Sequence, residues 1–217
     1  VMDGYASDVR AEVLNLPDVD IVTSHFYPVG KKSFAERVRE NAARAKGKKA
    51  FIVNEIGFAS TPVMEAAVKA IEPSSASCVL IWSLRLRDRD GGFYWQSESA
   101  GGSTMKAYHW PGSVMGQAYD EIHFMNFVRT NAFAICGLPL LEIPIPAPPK
   151  LLPITDAAAI SWQSSVGAKF YQVERSDEKS GGWQIIATNV DEAFTQYRPQ
   201  FADENAPAGQ WFYRVRA

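Results

Sequence analysis

The stretch DIVTSHFYPVGKKSFAERVRENAARAKGKKAFIVNE, residues 20–55, contains two apolar runs separated by a helical pattern. Both runs are rich in apolar and β-branched residues, which predicts strands that are buried on both faces. Between them, Ser33 and Glu36 have the spacing of a capping box, and Gly47 is suited to end the helix. A helix between two buried strands predicts a parallel βαβ unit.

The same alternation continues along the first part of the chain. The predicted strands cover residues 20–27, 50–55 and 77–85, and the predicted helices cover residues 33–47, 61–73 and 113–137. Thr61 is expected to cap the second helix, with Pro62 at its first helical position and Pro73 after its end. VMDG, at residues 1–4, is expected to end an earlier strand.

The composition changes after residue 137. Residues 138–153 are rich in proline and predict an extended linker. Beyond the linker, short alternating runs separated by turn residues predict a β-sandwich over residues 154–217. The predicted strands of this region cover residues 157–162, 168–176, 183–189, 192–199 and 209–217. The sequence therefore predicts an α/β domain at 1–137, a linker, and an all-β domain.

Composition and charge exclude several function classes. The 217 residues carry a formal net charge of −2, which predicts neither a nucleic-acid partner nor an anionic membrane surface. The sequence has no apolar run long enough for a transmembrane helix. Cys78 and Cys136 lie in apolar surroundings along the chain and are expected to be inert buried thiols. No spacing typical of a metal site or a phosphate-binding loop is present.

Reactive side chains stand at the ends of the predicted parallel strands. His25 and Tyr27 end the first, Glu55 ends the second and Trp82 lies near the end of the third. Because the carboxyl ends of parallel strands meet at one edge, these side chains are expected to converge. A carboxylate held there by the Tyr27 hydroxyl is suited to nucleophilic attack, and an indole ring suits the apolar face of a sugar. The alternative is a structural Glu55 that bonds a neighbouring loop.

Three segments together resemble the C-terminal half of a glycoside hydrolase of family 5. They are VDIVTSHFYPV at 19–29, KKAFIVNEIGF at 48–58 and VLIWSLRLRDRDGGFYWQSE at 79–98. The resemblance implies the C-terminal half of a (β/α)8 TIM barrel, with these strands as its sixth, seventh and eighth and VMDG as the end of the fifth. It implies that Glu55 is the nucleophile of a retaining mechanism.

The same resemblance implies roles for further residues. Tyr27 would be the hydrogen-bond partner of the nucleophile, His25 a subsite residue and Trp82 the platform next to the cleaved sugar. Asp88 and Trp95 lie in a long loop at 87–112 that is similar to mannanase-type members. These two residues are candidates for substrate binding, and the alternative is that they only shape the loop.

The expected function is that of a secreted, endo-acting, retaining glycoside hydrolase that cleaves β-1,4 links in mannan-type polysaccharide. It would need no metal or organic cofactor, and no protein partner is indicated. The family's acid/base glutamate and first four strands have no counterpart here, so the chain is expected to be part of a longer enzyme and inactive alone. The alternatives are a cellulase of the same family, a non-catalytic glycan-binding protein, and an adhesion or partner-binding role for the β-sandwich.

The all-β region resembles a fibronectin type III module. By this resemblance Trp162 is the buried tryptophan of its second strand and Tyr213 a core tyrosine of a later strand, and the module is expected to be incomplete. Trp183 and Trp211 could bind carbohydrate, but core packing is the favoured interpretation for both.

Overall fold

The structure is a computed structural model, in which residues 2–5, 8–28, 30–71, 74, 76–84, 86–87, 89–94, 108–110, 112, 120–192 and 199–217 are described. The chain divides into two compact units. The first contains residues 1–84, 96–108 and 114–131, and the second contains residues 85–95, 109–113 and 132–217. Two short segments between residues 85 and 113 therefore belong to the same unit as the C-terminal strands.

A parallel sheet forms the centre of the first unit. Its strands are β1 (Met2–Tyr5), β2 (Ile21–Phe26), β3 (Ala50–Ile56) and β4 (Ala76–Ile81). They are hydrogen-bonded in the order β1-β2-β3-β4, and each neighbouring pair is parallel. The parallel pairing predicted for residues 20–55 is therefore present, whereas closure into a TIM barrel stays a prediction.

Helices connect or follow these strands. They are α1 (Phe34–Ala45), α2 (Thr61–Lys69) and α3 (Glu121–Ile135), and a 3₁₀ turn covers Val13–Asn15. The capping box of Ser33 and Glu36 is confirmed, since each side chain accepts a hydrogen bond from the other residue's backbone N–H. The cap predicted at Thr61 was wrong by one residue, because Ser60 has the extended backbone of the N-cap. Thr61 is therefore the first helical residue, and Pro62 occupies the second position rather than the first. Residues 113–119 of the last predicted helix lie outside the described residues.

The core of the first unit lies between the sheet and its helices. Its largest fully buried side chains include Phe26, Phe51 and Ile56 of the strands and Met64 and Phe124 of the helices. Burying each such side chain contributes about 1.5–3 kcal/mol relative to leaving it in water. Helix α1 supplies an apolar face at the i, i+4 spacing expected of an amphipathic helix, which includes Phe34, Val38, Ala42 and Ala45.

The second unit is built from short antiparallel strands. They are β5 (Leu86–Arg87), β6 (Phe93–Tyr94), β7 (Lys150–Leu151), β8 (Trp162–Gln163), β9 (Tyr171–Ser176), β10 (Gln184–Val190) and β11 (Phe212–Arg216). A three-stranded sheet has the order β10-β9-β11, while β5 pairs with β6 and β7 with β8. Most of the strand predicted at 192–199 lies outside the described residues. A complete fibronectin-like β-sandwich stays a prediction.

The core of the second unit surrounds Trp162, which is fully buried, as predicted. Tyr171, Val173 and Ile160 are buried with it, and the ring of Trp162 lies 5.2 Å from that of Tyr171. Tyr213 is half-buried and packs against the edge of this core.

Four expectations about burial were wrong, and one of them concerns Cys78, which is half-buried rather than buried. Trp183 and Trp211 are half-buried rather than core residues, and each ring carries a guanidinium group, that of Arg214 and that of Arg175 respectively. Cys136 is exposed, because it follows the last turn of α3 at the start of an extended, solvent-facing segment. No helix in the described part of the chain is both long and apolar enough to span a membrane.

Candidate functional site

Three predicted side chains meet at the carboxyl ends of β2 and β3. The Tyr27 hydroxyl donates a hydrogen bond of 2.5 Å to Glu55 Oε2, and His25 Nδ1 lies 3.4 Å from the same oxygen. The Glu55 and His25 side chains are 24% and 26% exposed, so a ligand can reach them. This end of the parallel sheet therefore presents one carboxylate with a phenol and an imidazole as neighbours.

A bulge in β3 places Glu55 in this cluster. Strict alternation would put Glu55 on the same face as Phe51 and Val53, which are fully buried against the helices. The register with β2 instead shifts after Val53, so that Asn54 and Glu55 together face His25. A bulge of this kind re-aims a side chain, and Ile56 returns to the buried face.

Gly57 allows the chain to pass close to Trp82 directly after this strand. A Cβ on Gly57 would lie 2.7 Å from the Trp82 carbonyl oxygen and 3.4 Å from Tyr27 Cε1. The Trp82 N–H donates a 2.9 Å hydrogen bond to the carbonyl of Ile56, which fixes the two segments side by side. A glycine is therefore required here by space, since the closest contact is with rigid backbone.

Phe58 supports the tyrosine from the other side of the turn. Its ring lies 5.5 Å from that of Tyr27, and its backbone φ of 59° is in the left-handed region that non-glycine residues rarely adopt. Such conformations persist where surrounding contacts hold them, and they concentrate at functional sites. Phe58 and the bulge at Asn54 were not predicted, because neither has a signal in the local sequence pattern.

The cluster is suited to chemistry at an electrophilic carbon. A carboxylate that accepts a hydrogen bond is held in a fixed direction, which is a property of an enzymatic nucleophile. The Trp82 side chain is half-exposed beside the strand end, where its ring could support a sugar. The structure thus brings His25, Tyr27 and Glu55 together and places the Trp82 backbone next to them.

Two further predicted site residues belong to the loop at 87–112. Asp88 and Trp95 lie outside the described residues, so their expected substrate contacts stay predictions. Asp90, two residues after Asp88, is exposed and lies 3.5 Å from its neighbour Arg89. Across the described ranges, no group of three or more His, Cys, Asp or Glu side chains could hold a metal ion.

A buried carboxylate in the second unit was also not predicted. Glu192 is almost completely buried and accepts hydrogen bonds from the Tyr171 hydroxyl at 2.8 Å and the Ser164 hydroxyl at 2.6 Å. His109 Nε2 lies 3.9 Å from it. Burial, together with the charge of Glu192, raises the pKa of Tyr171 well above its usual range. This network joins distant segments of the unit and is a structural element rather than an accessible site.

Comparison of the chain with models of known protein families, with curated proteins and with solved structures found no match.

Proposed function

We propose that this chain supplies the nucleophile half of a retaining glycoside hydrolase that cleaves internal β-1,4 links in mannan-type polysaccharide. The observation that carries the proposal is the position of Glu55, which is reachable at a strand end and accepts a 2.5 Å hydrogen bond from Tyr27. The same geometry would serve a β-glucan substrate. Mannan is proposed as the substrate only because the loop at 87–112 resembles that of mannanase-type family members. Secretion is expected because polysaccharides of this size lie outside the cell.

In the proposed first step, a Glu55 oxygen attacks the anomeric carbon of the sugar. The C–O bond to the leaving sugar breaks, its electron pair stays on the leaving oxygen, and a covalent glycosyl-enzyme forms. A second carboxylic acid, about 5–5.5 Å from the nucleophile in retaining enzymes, protonates that oxygen and later activates water. This second role is assigned here to no residue of the chain.

The neighbours of Glu55 have separate roles in this proposal. Tyr27 holds the carboxylate in the direction of attack, and His25 contacts the sugar bound at the cleavage point. Trp82 stacks against one face of that sugar, where ring C–H groups meet the indole. Asp88 and Trp95 are proposed to bind further sugar units in the loop.

The test uses a substrate whose first cleavage step needs no acid/base residue. Dinitrophenolate leaves without protonation, so a dinitrophenyl 2-deoxy-2-fluoro-β-mannobioside should label a competent nucleophile without an acid/base residue. The expected result is a covalent adduct on Glu55, located by peptide mass spectrometry, and no adduct in Glu55→Gln. The corresponding dinitrophenyl 2-deoxy-2-fluoro-β-cellobioside is tested in the same way. The ratio of the two labelling rates compares the preference for glucan with the preference for mannan.

Two results would contradict the enzyme proposal. One is an adduct that forms at the same rate on Glu55→Gln, which would remove Glu55 from the nucleophile role. The other is sugar binding with no adduct at all, which would favour a non-catalytic glycan-binding protein. Glu55→Gln is expected to abolish labelling and to leave sugar binding intact.

A further inference from the structure

The second unit includes two segments of the loop at 87–112 in addition to the C-terminal strands. One segment contains the β5–β6 hairpin, and the other begins at His109. We propose that a loop clamp, formed by Gln163, Gln200 and Glu192, positions this loop for sugar binding. The role in sugar binding rests on the proposed function, whereas the clamp itself rests on contacts between described residues of the second unit.

Gly91, in the turn of the hairpin, lies directly against the core of the second unit. A Cβ on Gly91 would lie 2.5 Å from Gln200 Oε1 and 3.1 Å from the Trp162 carbonyl oxygen. Its backbone φ is 102°, a conformation that residues other than glycine rarely adopt. The turn can therefore approach β8 this closely only because glycine occupies this position.

Two glutamines build the surface on which the turn lies. The Oε1 atom of Gln200 accepts a 2.9 Å hydrogen bond from the Trp162 N–H, and its Nε2 donates a 2.8 Å bond to the Trp162 carbonyl. The Gln200 amide thus pairs with Trp162 as a neighbouring strand would, and this pairing fixes it beneath Gly91. Gln163 Nε2 donates a 3.2 Å hydrogen bond to the Arg89 carbonyl. The turn is therefore held through its backbone.

Glu192 connects the same surface to the second segment of the loop. Its buried carboxylate accepts hydrogen bonds from the hydroxyls of Ser164 and Tyr171, and Gln200 Nε2 lies 3.5 Å from its Oε2. His109, which is 2% exposed, has its Nε2 3.9 Å from Glu192 Oε1. Gln200 and Glu192 therefore join both segments to one buried polar network. Such networks rigidify the parts that they connect.

A loop that is ordered before the sugar arrives gives tighter binding than a loop that must be ordered by the sugar. The second kind loses conformational entropy at the moment of binding, which lowers the affinity. The hydrogen bond that holds the Glu55 carboxylate comes from Tyr27, and both residues belong to the first unit. Release of the clamp should therefore weaken sugar binding and leave the bond-forming step at Glu55 unchanged.

Gly91→Ala tests the clamp without removing any group from the core of the second unit. The added methyl group would overlap Gln200 and displace the turn. Gly137→Ala is the matched control, because Gly137 lies in the same unit with a positive φ of 65° and a Cβ there meets nothing within 4 Å. Hydrogen exchange of the full chain, followed by mass spectrometry, should be faster at residues 86–94 in Gly91→Ala alone. Exchange in β9 should stay as in the parent chain, which shows that the unit remains folded.

The functional measurement is the rate of Glu55 labelling by the fluorinated mannobioside at increasing concentration. In Gly91→Ala, the concentration that gives half the maximal rate should rise about tenfold, while the maximal rate stays that of the parent chain. Gln163→Ala removes the bond to the Arg89 carbonyl and creates no overlap, so a smaller rise in the same direction is expected. This variant also replaces Gly91→Ala in the test if Gly91→Ala does not fold.

Two results would overturn the proposal. One is unchanged exchange at residues 86–94 in Gly91→Ala, which would show that the turn is not held by the second unit. The other is faster exchange with an unchanged half-saturating concentration, which would show that the clamp does not position the loop for sugar. If the parent chain is not labelled at all, the proposed hydrolase fails. The affinity for β-1,4-mannopentaose, measured by calorimetry, then replaces labelling, and equal affinities of Gly91→Ala and Gly137→Ala would overturn the clamp.

Discussion

The Tyr27 hydroxyl donates a 2.5 Å hydrogen bond to Glu55 Oε2 and so joins the ends of two neighbouring parallel strands. Tyr27→Phe keeps the ring and its packing against Phe58 but removes this donor. A hydrogen bond to a charged group contributes about 1.5–3 kcal/mol, so labelling of Glu55 by the fluorinated mannobioside should slow about tenfold to a hundredfold. The rate is measured by the appearance of dinitrophenolate.

Tyr213→Phe is the matched control for this change. The Tyr213 hydroxyl also bonds a carboxylate, Asp203 Oδ2 at 3.0 Å, but it lies in the second unit. Its removal should leave the labelling rate unchanged. Equal rates for Tyr27→Phe and the parent chain would show that Tyr27 does not position the nucleophile.

Gly57→Ala should destabilise the first unit because the new methyl group has no space. The added Cβ would lie 2.7 Å from the Trp82 carbonyl oxygen. Overpacking of this kind typically costs about 1–3 kcal/mol, measured here as the free energy of unfolding in urea. Gly181→Ala is the control, since a Cβ there meets nothing within 4 Å. If the two variants were equally stable, the close approach of Gly57 and Trp82 would be contradicted.

Ser33→Ala should destabilise helix α1 by about 1 kcal/mol, because the serine hydroxyl caps the Glu36 N–H. Ser60 occupies the same N-cap position in α2 but makes no side-chain cap hydrogen bond. Ser60→Ala should therefore have a smaller effect. Urea unfolding of both variants measures the difference, and a larger loss in Ser60→Ala would contradict the assignment of the two caps.

Alkaline pH should destabilise the second unit. Burial and the hydrogen bond to Asp203 raise the pKa of Tyr213 to about 12, from an ordinary value of 10.0. The folded state then holds a proton that the unfolded chain releases. The stability linked to Tyr213 is therefore complete below pH 10 and is lost as the pH rises towards about 12. Tyr171, whose pKa burial also raises, acts in the same direction.

Thermal unfolding followed from pH ~9 to ~12 measures this loss, and absorbance of the phenolate form follows the tyrosines directly. Tyr213→Phe should make the decline of the unfolding temperature with pH less steep. A decline that is the same in the variant and the parent chain would assign the alkaline transition to other groups.

Features that depend on a few neighbouring residues could be predicted from the sequence. The capping box at Ser33 follows from a spacing of three residues, and the buried strands around Phe26 and Phe51 follow from continuous apolar runs. The presence of Tyr27 and Glu55 at one edge of the sheet could also be predicted, because parallel strands place their ends together. The boundary of α2 was missed by one residue, since Ser60 and Thr61 are both good caps.

Features that depend on pairing between distant segments could not be predicted in this way. The exposure of Cys136 and the arginines over Trp183 and Trp211 are set by where the chain packs, not by the residues beside them along the sequence. The buried position of Glu192 likewise depends on Tyr171 and Ser164, each more than twenty residues away.

The sequence by itself determined which residues stand at the strand ends and which helices and strands alternate, because periodicity and caps act within a few residues. Only the tertiary structure decided which way Glu55 faces. The bulge at Asn54 depends on the register of β3 against β2, and a shift of one residue moves a side chain to the opposite face of a sheet. The same holds for a second bulge, in which Thr188 and Asn189 of β10 stand opposite one residue of β9.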